Sequence, residues 1–165
     1  MTRRAPTVST AVRPAVAEDR ATVSTLLRHA IPRSSHADTP AYFLRRAFDV
    51  GDAEARVLVS EHDDAVVGCA LFGQVAGTVG TGRLHYVAVA AGTRRCGIGT
   101  TLCEAAIAEL FSRGARSVVA EMPDDAEGPA GRALMEHCGL TLVARVADYY
   151  CDTVDLLIFE RRSSS

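Results

Sequence analysis

The stretch Arg94-Arg95-Cys96-Gly97-Ile98-Gly99-Thr100, here called the glycine loop, joins a predicted strand to a predicted helix. Its two glycines carry no side chain that could block a ligand, so backbone N–H groups at the helix start can face an anion. The two arginines add positive charge beside these amides. We therefore predict that the glycine loop binds a diphosphate, although glycines at a helix entry also occur for steric reasons alone.

The sequence around the glycine loop disfavours a dinucleotide-binding fold. A Rossmann fingerprint requires a third glycine, and Leu102 occupies that position. Residues 83–90 form the predicted strand, in which simple alternation places His85, Val87 and Val89 on one face. Two apolar rows at helical spacing predict an amphipathic helix after Gly97: Leu102, Ala106 and Leu110, and beside them Cys103, Ile107 and Phe111.

The rest of the chain predicts alternating strands and helices. Periodicity and turn residues predict strands at 8–13, 56–61, 65–75 and 117–122, two more strands within 140–161, and helices at 14–29, 40–50 and 128–138. Residues 30–39 are predicted to be a mobile loop that shapes a substrate pocket. This order predicts one α/β domain over residues 1–165, with a core at about 8–161 and frayed ends at 1–7 and 162–165.

Composition excludes several classes of function. The net charge of -2 and the pI near 6.2 provide no basic surface for nucleic acid or an anionic membrane. All 18 basic residues are arginine, so lysine Schiff-base chemistry and a Walker phosphate loop are excluded. The five cysteines form no metal-ligand spacing, which predicts reduced thiols and no metal. With no long apolar run or signal segment, we expect a cytoplasmic protein.

The glycine loop resembles the R/Q-x-x-G-x-G/A signature of the GCN5-related N-acetyltransferases, with Arg94, Gly97 and Gly99 at the signature positions. Three further segments resemble the family's opening strand, fourth strand and late Gly-Phe pair: Val12-Arg13-Pro14-Ala15, Val87-Ala88-Val89 and Gly139-Leu140. The resemblance covers residues 8–161. It implies a mixed, mostly antiparallel central sheet with helices on both faces and a cofactor cleft between splayed strands 4 and 5.

The resemblance also implies acetyl-CoA as co-substrate, without a metal. It places the pyrophosphate on backbone amides from Arg95 to Thr100, a run that includes Cys96, Gly97, Ile98 and Gly99, with Arg94 beside them. The pantetheine arm is implied to pair with the backbone of Val87 and Val89, as an added strand would.

The residues that could transfer protons match the family pattern only in part. His85 resembles the strand histidine of arylalkylamine N-acetyltransferases and is the candidate base, with local packing as its alternative role. Glu121 is a second candidate base. The family's usual tyrosine acid is Met135 here, and its usual asparagine is Gly128. Tyr150, or its neighbour Tyr149, is therefore the candidate acid, although the pair could instead line a pocket or a dimer contact.

The resemblance implies direct transfer of an acetyl group to an amine of a small molecule, or of a protein or peptide. It leaves the acceptor, the range of acyl groups and the oligomeric state open. A catalytically silent acetyl-CoA or CoA sensor is the alternative, and a binder of nucleotide phosphate is a third hypothesis. Residues 154–159 would be aggregation-prone as an isolated strand, so we expect pairing within the sheet or across a homodimer interface.

Overall fold

The computed structural model describes residues 10–30, 39–51, 53–125 and 128–164. The strand start predicted at 8–9, the frayed start at 1–7, Ser165 and most of the loop predicted at 30–39 lie outside the described residues. The strands are β1 (Ala11–Pro14), β2 (Arg56–His62), β3 (Ala65–Gln74), β4 (Thr81–Val89), β5 (Ser117–Pro123), β6 (Thr141–Cys151) and β7 (Val154–Arg162). The α-helices are α1 (Arg20–Ala30), α2 (Thr39–Arg45), α3 (Ile98–Ser112) and α4 (Gly128–His137).

The described strands form one seven-stranded sheet in the order β1-β2-β3-β4-β5-β7-β6. Neighbouring strands are antiparallel except β4 and β5, which are parallel because α3 connects them. The sheet is therefore mixed and mostly antiparallel, as predicted. β7 lies between β5 and β6, so residues 156–159 of the segment 154–159 are paired on both sides within the sheet, whereas Val154 pairs with β6 alone.

Helices cover both faces of the sheet, which confirms that prediction. Leu71 and Phe72 are adjacent on β3 and point to opposite faces, because side chains alternate along a strand. Phe72 packs in a core cluster with α3 and α4, whereas Leu71 packs in a second cluster with α1 and α2. Among the described residues, no helix combines the length and apolar character needed to cross a membrane.

One predicted helix begins at the wrong residue, and a second changes helix type along its length. Pro14 does not open a helix but ends β1, an edge strand where a missing N–H is tolerated. The buried Asp19 carboxylate accepts the Val16 N–H at 2.8 Å and binds Arg13, which fixes a 3₁₀ turn before α1 begins at Arg20. The helix predicted at 40–50 is α2 followed by a π-helical turn at Arg46–Val50.

Candidate active site

The strands β4 and β5 separate midway along their length. They pair only between Thr81–Leu84 and Ser117–Ala120. Beyond these residues β4 pairs only with β3, and β5 only with β7. The divergence opens a gap in the middle of the sheet, here called the β4–β5 cleft, and confirms the predicted cleft between strands 4 and 5.

A cavity of about 490 Å³ occupies the β4–β5 cleft, a volume typical of small-molecule sites. It reaches both faces of the sheet, because residues of α1, α2 and α4 contribute to its wall together with β4, β5 and β6. Its lining residues are mainly apolar and aromatic: Leu27, Ala30, Phe43, Leu84, Tyr86, Val87, Met122, Leu134, Met135, Tyr149 and Tyr150, with Arg83, His85, Glu121 and Asp125 as the charged or titratable ones.

A β-bulge at His85 lies where the strands part. Leu71 pairs with Tyr86 and the next residue, Phe72, pairs with Leu84, so His85 is an extra residue in β4. Both His85 and Tyr86 consequently face α1 and α2, where they contact Phe43 and the second core cluster. The predicted alternation of His85 with Val87 and Val89 on one face is therefore wrong, because a bulge shifts the side-chain period by one residue.

The His85 imidazole is held as a neutral ring. Its centroid lies 3.9 Å from that of Phe43, with an angle of 31° between the ring planes. Its Nε2 atom is shielded from solvent and has no hydrogen-bond partner among the described residues. Burial, assisted by the positive charge of Arg83, lowers the pKa of His85 to about 4, against a weaker opposing hydrogen bond with the Glu54 backbone. The ring is thus uncharged at neutral pH.

Two opposite charges lie beside this ring. Arg83 of β4 and Glu121 of β5 form a salt bridge of 2.9 Å across the start of the β4–β5 cleft. The Arg83 Nε atom is buried, and none of the residues that the structure describes forms a hydrogen bond with it. Sequence analysis identified Glu121 but missed Arg83 and Phe43. Arg83 could have been noticed as a charged residue in a largely apolar strand, whereas nothing in the sequence distinguishes Phe43 of α2.

Tyr150 reaches the cavity from the far edge of the sheet. Burial raises the pKa of its phenol to about 12, and the nearby carboxylate of Glu121 and the ring of Tyr149 act in the same direction. Tyr149 packs edge to face on it at a centroid distance of 5.0 Å. Tyr150 therefore remains a protonated phenol at neutral pH.

The glycine loop begins α3 with two residues in the left-handed region, Arg95 at φ 65° and Gly97 at φ 81°. The hydrogen bond from Thr101 N–H to Gly97 C=O, at 3.0 Å, starts the helical ladder. The amides of Ile98, Gly99 and Thr100 therefore precede the ladder, and no side chain caps the helix. Such a turn with free amides forms a cradle for an anion.

Side chains of the glycine loop complete this cradle. Arg94 and Arg95 are exposed, so their charges are available to a phosphate. Ile98 and Cys96 instead pack toward the core, which leaves their backbone as the part that faces outward. A Cβ atom on Gly99 would lie 3.7 Å from Val89 and 3.8 Å from Leu134, so Gly99 borders the passage between β4 and α4. The residues present thus fit a diphosphate-bearing ligand.

Some backbone N–H and C=O groups of β4 point into the β4–β5 cleft and do not pair with β3. Ala90 N–H donates to Val67 C=O of β3 at 2.8 Å. Because the direction of backbone polar groups alternates along a strand, the N–H and C=O groups of Val87 and Val89 point away from β3, toward the cleft. The Val89 carbonyl accepts a long hydrogen bond of 3.4 Å from Arg94 Nε.

Two positions that depart from the family pattern also border the cavity. Met135 is buried in the core cluster of α3 and α4, and Gly128 starts α4; both line the cavity. Of the five cysteines, Cys69, Cys103 and Cys138 are buried, Cys96 is partly buried and Cys151 is exposed. Within the described ranges, no three His, Cys, Asp or Glu side chains converge as a metal-binding group.

Comparison with solved structures shows the same fold. A protein of the GNAT family from Desulfovibrio desulfuricans superposes with a TM-score of 0.84 at 22% identity, covering 93% of this chain and 99% of its own. YncA from Salmonella typhimurium, solved with acetyl-CoA, gives 0.75 at 23% identity, covering 94% and 95%. The ribosomal-protein-S18-alanine N-acetyltransferase from Escherichia coli gives 0.73 at 22% identity, covering 95% and 96%.

A search of curated proteins finds no significant match. The sequence itself, however, matches the acetyltransferase (GNAT) family over residues 22–140, which is more than half of the chain and includes the glycine loop and most of the β4–β5 cleft. The matched range also includes the parted strands and the amides ahead of α3. The chain therefore belongs to the acetyltransferase (GNAT) family.

Proposed function

We propose that this protein, as a single N-acetyltransferase domain, transfers an acetyl group from acetyl-CoA directly to an amine. The observation that carries the proposal is the position of the β4–β5 cleft, which opens beside the free amides of the glycine loop. A ligand with a diphosphate and a long flexible arm can contact both. Acetyl-CoA is such a ligand, and YncA, which shares the fold, was solved with it.

We assign the cofactor contacts to backbone groups more than to side chains. The amides from Arg95 to Thr100, through Cys96, Gly97, Ile98 and Gly99, are proposed to bind the pyrophosphate, with Arg94 and Arg95 supplying charge. The backbone of Val87 and Val89 is proposed to pair with the pantetheine arm in the β4–β5 cleft. When bound, acetyl-CoA supplies a thioester whose acyl carbon the amine attacks.

His85 is proposed to accept the amine proton, directly or through a water molecule. It is uncharged at neutral pH, and its Nε2 atom has no partner among the described residues. Two properties work against it: a pKa of about 4 weakens the base, and Nε2 is shielded from solvent. Glu121, beside the same cavity, is the second candidate base.

Tyr150 is proposed to donate a proton to the departing thiolate. The phenol lines the cavity and its pKa of about 12 keeps it protonated at neutral pH. A thiolate of ordinary basicity takes a proton poorly from so weak an acid unless the two are hydrogen-bonded, so Tyr150 must lie close to the sulfur. Met135 carries no proton that could replace it.

The cavity wall favours a small acceptor with an apolar or aromatic body. Phe43, Tyr86 and Tyr150 offer aromatic faces to a cationic group, and the Glu121 carboxylate, which binds Arg83 through Oε1, has a second oxygen that can accept a hydrogen bond from an amine. We therefore place a small-molecule amine ahead of a protein or peptide amine as the acceptor.

We also propose a homodimer located in the cytoplasm. The edge strand β6 exposes apolar side chains whose burial at an interface is favourable: Leu142, Val143, Val146 and Tyr149. A second copy of the chain is the simplest partner that could bury these side chains. The exposed Cys151, present as a free thiol, is consistent with a reducing compartment. Light scattering at several protein concentrations tests the dimer.

The function is tested by calorimetry with acetyl-CoA, followed by a screen of amines for release of free CoA. We expect binding and turnover of at least one amine. Greater thermal stabilisation by ATP or NAD than by acetyl-CoA would instead indicate a nucleotide-phosphate binder. Tight acetyl-CoA binding without turnover across a broad panel would assign the chain to the sensor class and refute the transfer step.

A further inference from the structure

The edge strand β6 contains a large irregularity just before the turn to β7. Val146 pairs with Leu156 and Cys151 pairs with Val154. Four residues of β6 therefore lie opposite a single residue of β7, Asp155. The extra residues, here called the β6 bulge (147–150), include both Tyr149 and Tyr150.

The β6 bulge needs outside support, because its backbone lacks the regular ladder and is strained. Asp148 has φ 50°, in the left-handed region that a residue other than glycine seldom adopts. Its own carboxylate accepts the Thr153 N–H at 2.7 Å, which links the β6 bulge to the turn between β6 and β7. This contact alone does not connect the β6 bulge to the rest of the sheet.

The connection is made by Asp155 of β7. One of its carboxylate oxygens, Oδ1, accepts the Asp148 N–H at 3.0 Å, and the other, Oδ2, accepts Arg145 Nη1 at 2.7 Å. Its backbone C=O accepts the Asp124 N–H at 2.9 Å, and the Asp124 carboxylate binds Arg145 Nη2 at 2.8 Å. Asp155 thus bridges the residue that follows β5, Arg145 of β6 and the β6 bulge.

We propose that Asp155 is a positioning residue for acyl transfer, because it fixes the β6 bulge that presents Tyr149 and Tyr150 to the β4–β5 cleft. Asp155 does not itself line the cavity, so it acts through the bulge. The proposal rests on the proposed acetyltransferase function, in which Tyr150 donates the proton. The two hydrogen bonds to its carboxylate also lower the pKa of Asp155, as expected of a carboxylate that serves as an acceptor at both oxygens.

The test is Asp155→Asn, which keeps the size of the side chain but presents an NH₂ group to one of its two donors. We expect kcat to fall about fivefold, since small displacements of a reacting group slow transfer, while Kd for acetyl-CoA and the Tm stay near their wild-type values. Asp49→Asn is the matched control, because Asp49 also binds an arginine, Arg20, with both oxygens but does not line the cavity. The control is expected to keep wild-type kcat.

A spectroscopic measurement separates this proposal from the proposed function. The measurement is ¹³C NMR of protein that contains ¹³C-labelled tyrosine, with the Tyr150 signal assigned by its loss in Tyr150→Phe. In the wild type we expect this signal to keep the chemical shift of a protonated phenol at about pH 10.5, where an unperturbed tyrosine is mostly ionised. In Asp155→Asn it is expected to ionise near pH 10. This change supports the proposal even if no amine is turned over, in which case only the transfer function fails. An unchanged Tyr150 titration, or a loss of kcat equal to that of Asp49→Asn, would overturn it.

A second variant keeps the test decisive if Asp155→Asn does not fold. Arg145→Gln removes the ion pairs of Arg145 with Asp155 and Asp124, and the arginine side chain is 46% exposed, so the core is unaffected. The same change of the Tyr150 signal is expected, with a smaller loss of kcat. A Tyr150 signal identical to wild type in Arg145→Gln would refute the proposal.

Discussion

The glycine loop and the β4–β5 cleft lie next to each other but are built in opposite ways. The glycine loop is seven consecutive residues whose backbone conformation and free amides follow from two glycines and the start of a helix. The β4–β5 cleft combines side chains from α1, α2, β4, β5, β6 and α4, brought together by two bulges. Binding of the donor is thus a local property, whereas handling of the proton and the acceptor depends on the tertiary structure.

This contrast predicts that changes in the β4–β5 cleft affect the rate, and changes in the glycine loop affect cofactor binding. The largest effect is expected for His85→Gln, which removes the proposed base. We expect kcat/KM to fall about 100-fold, since a positioned base contributes on that order, and the acidic limb near pH 4 to disappear from the profile. Calorimetry should show an unchanged Kd for acetyl-CoA. His62→Gln, at the last residue of β2, is the control, and an unaltered pH profile for His85→Gln would reassign the base.

The same buried ring predicts an acid-dependent loss of stability. Because folding lowers the pKa of His85 from 6.5 to about 4, the unfolded chain binds a proton that the folded chain resists. Neutral His85 therefore contributes about 2 to 3 kcal/mol to the free energy of unfolding above about pH 6.5, and this contribution is lost as the pH falls toward 4. Urea unfolding of His85→Phe, which keeps a ring against Phe43, should show a flatter dependence of stability on pH in this window. Equal slopes for the variant and the wild type would show that His85 is not held neutral.

Gly99→Val tests the other side of the comparison. Its Cβ would make only ordinary contacts with Val89 and Leu134, so the fold should tolerate it, but the branched side chain would enter the passage proposed for acetyl-CoA. We expect Kd to rise about 30-fold, which is about 2 kcal/mol, with little change in Tm. Gly92→Val, at a glycine with open space around it, is the matched control. Gly97 is less suitable, because its φ of 81° would strain any other residue.

The smallest effect in this series is expected for Tyr150→Phe. Removal of the proposed donor should lower kcat about tenfold, because water can partly replace it, and should leave Kd for acetyl-CoA unchanged. Tyr42→Phe, at an exposed tyrosine outside the cavity, is the control. A Tyr150→Phe enzyme with wild-type kcat on a fast-reacting amine would move the acid role to another group.

Sequence alone could predict most of the fold, but less of the site. Order and type of the elements follow from apolar periodicity, and the errors fall where a tertiary contact overrides a local signal, as at Pro14 and Asp19. His85 was found by its residue type and place in the strand. Its orientation toward Phe43 could not be predicted, because a bulge depends on pairing with β3 and leaves no mark in the strand itself.

What the sequence determined by itself is the glycine loop, since two glycines ahead of an amphipathic helix are sufficient to expose amides to a phosphate. What only the tertiary structure decided is which side chains meet in the β4–β5 cleft. Arg83 and Glu121 are 38 residues apart, and the Asp155 bridge depends on the register of β6 and β7. The physical reason is that backbone conformation is set by neighbours along the chain, whereas side-chain contacts across a sheet are set by strand pairing.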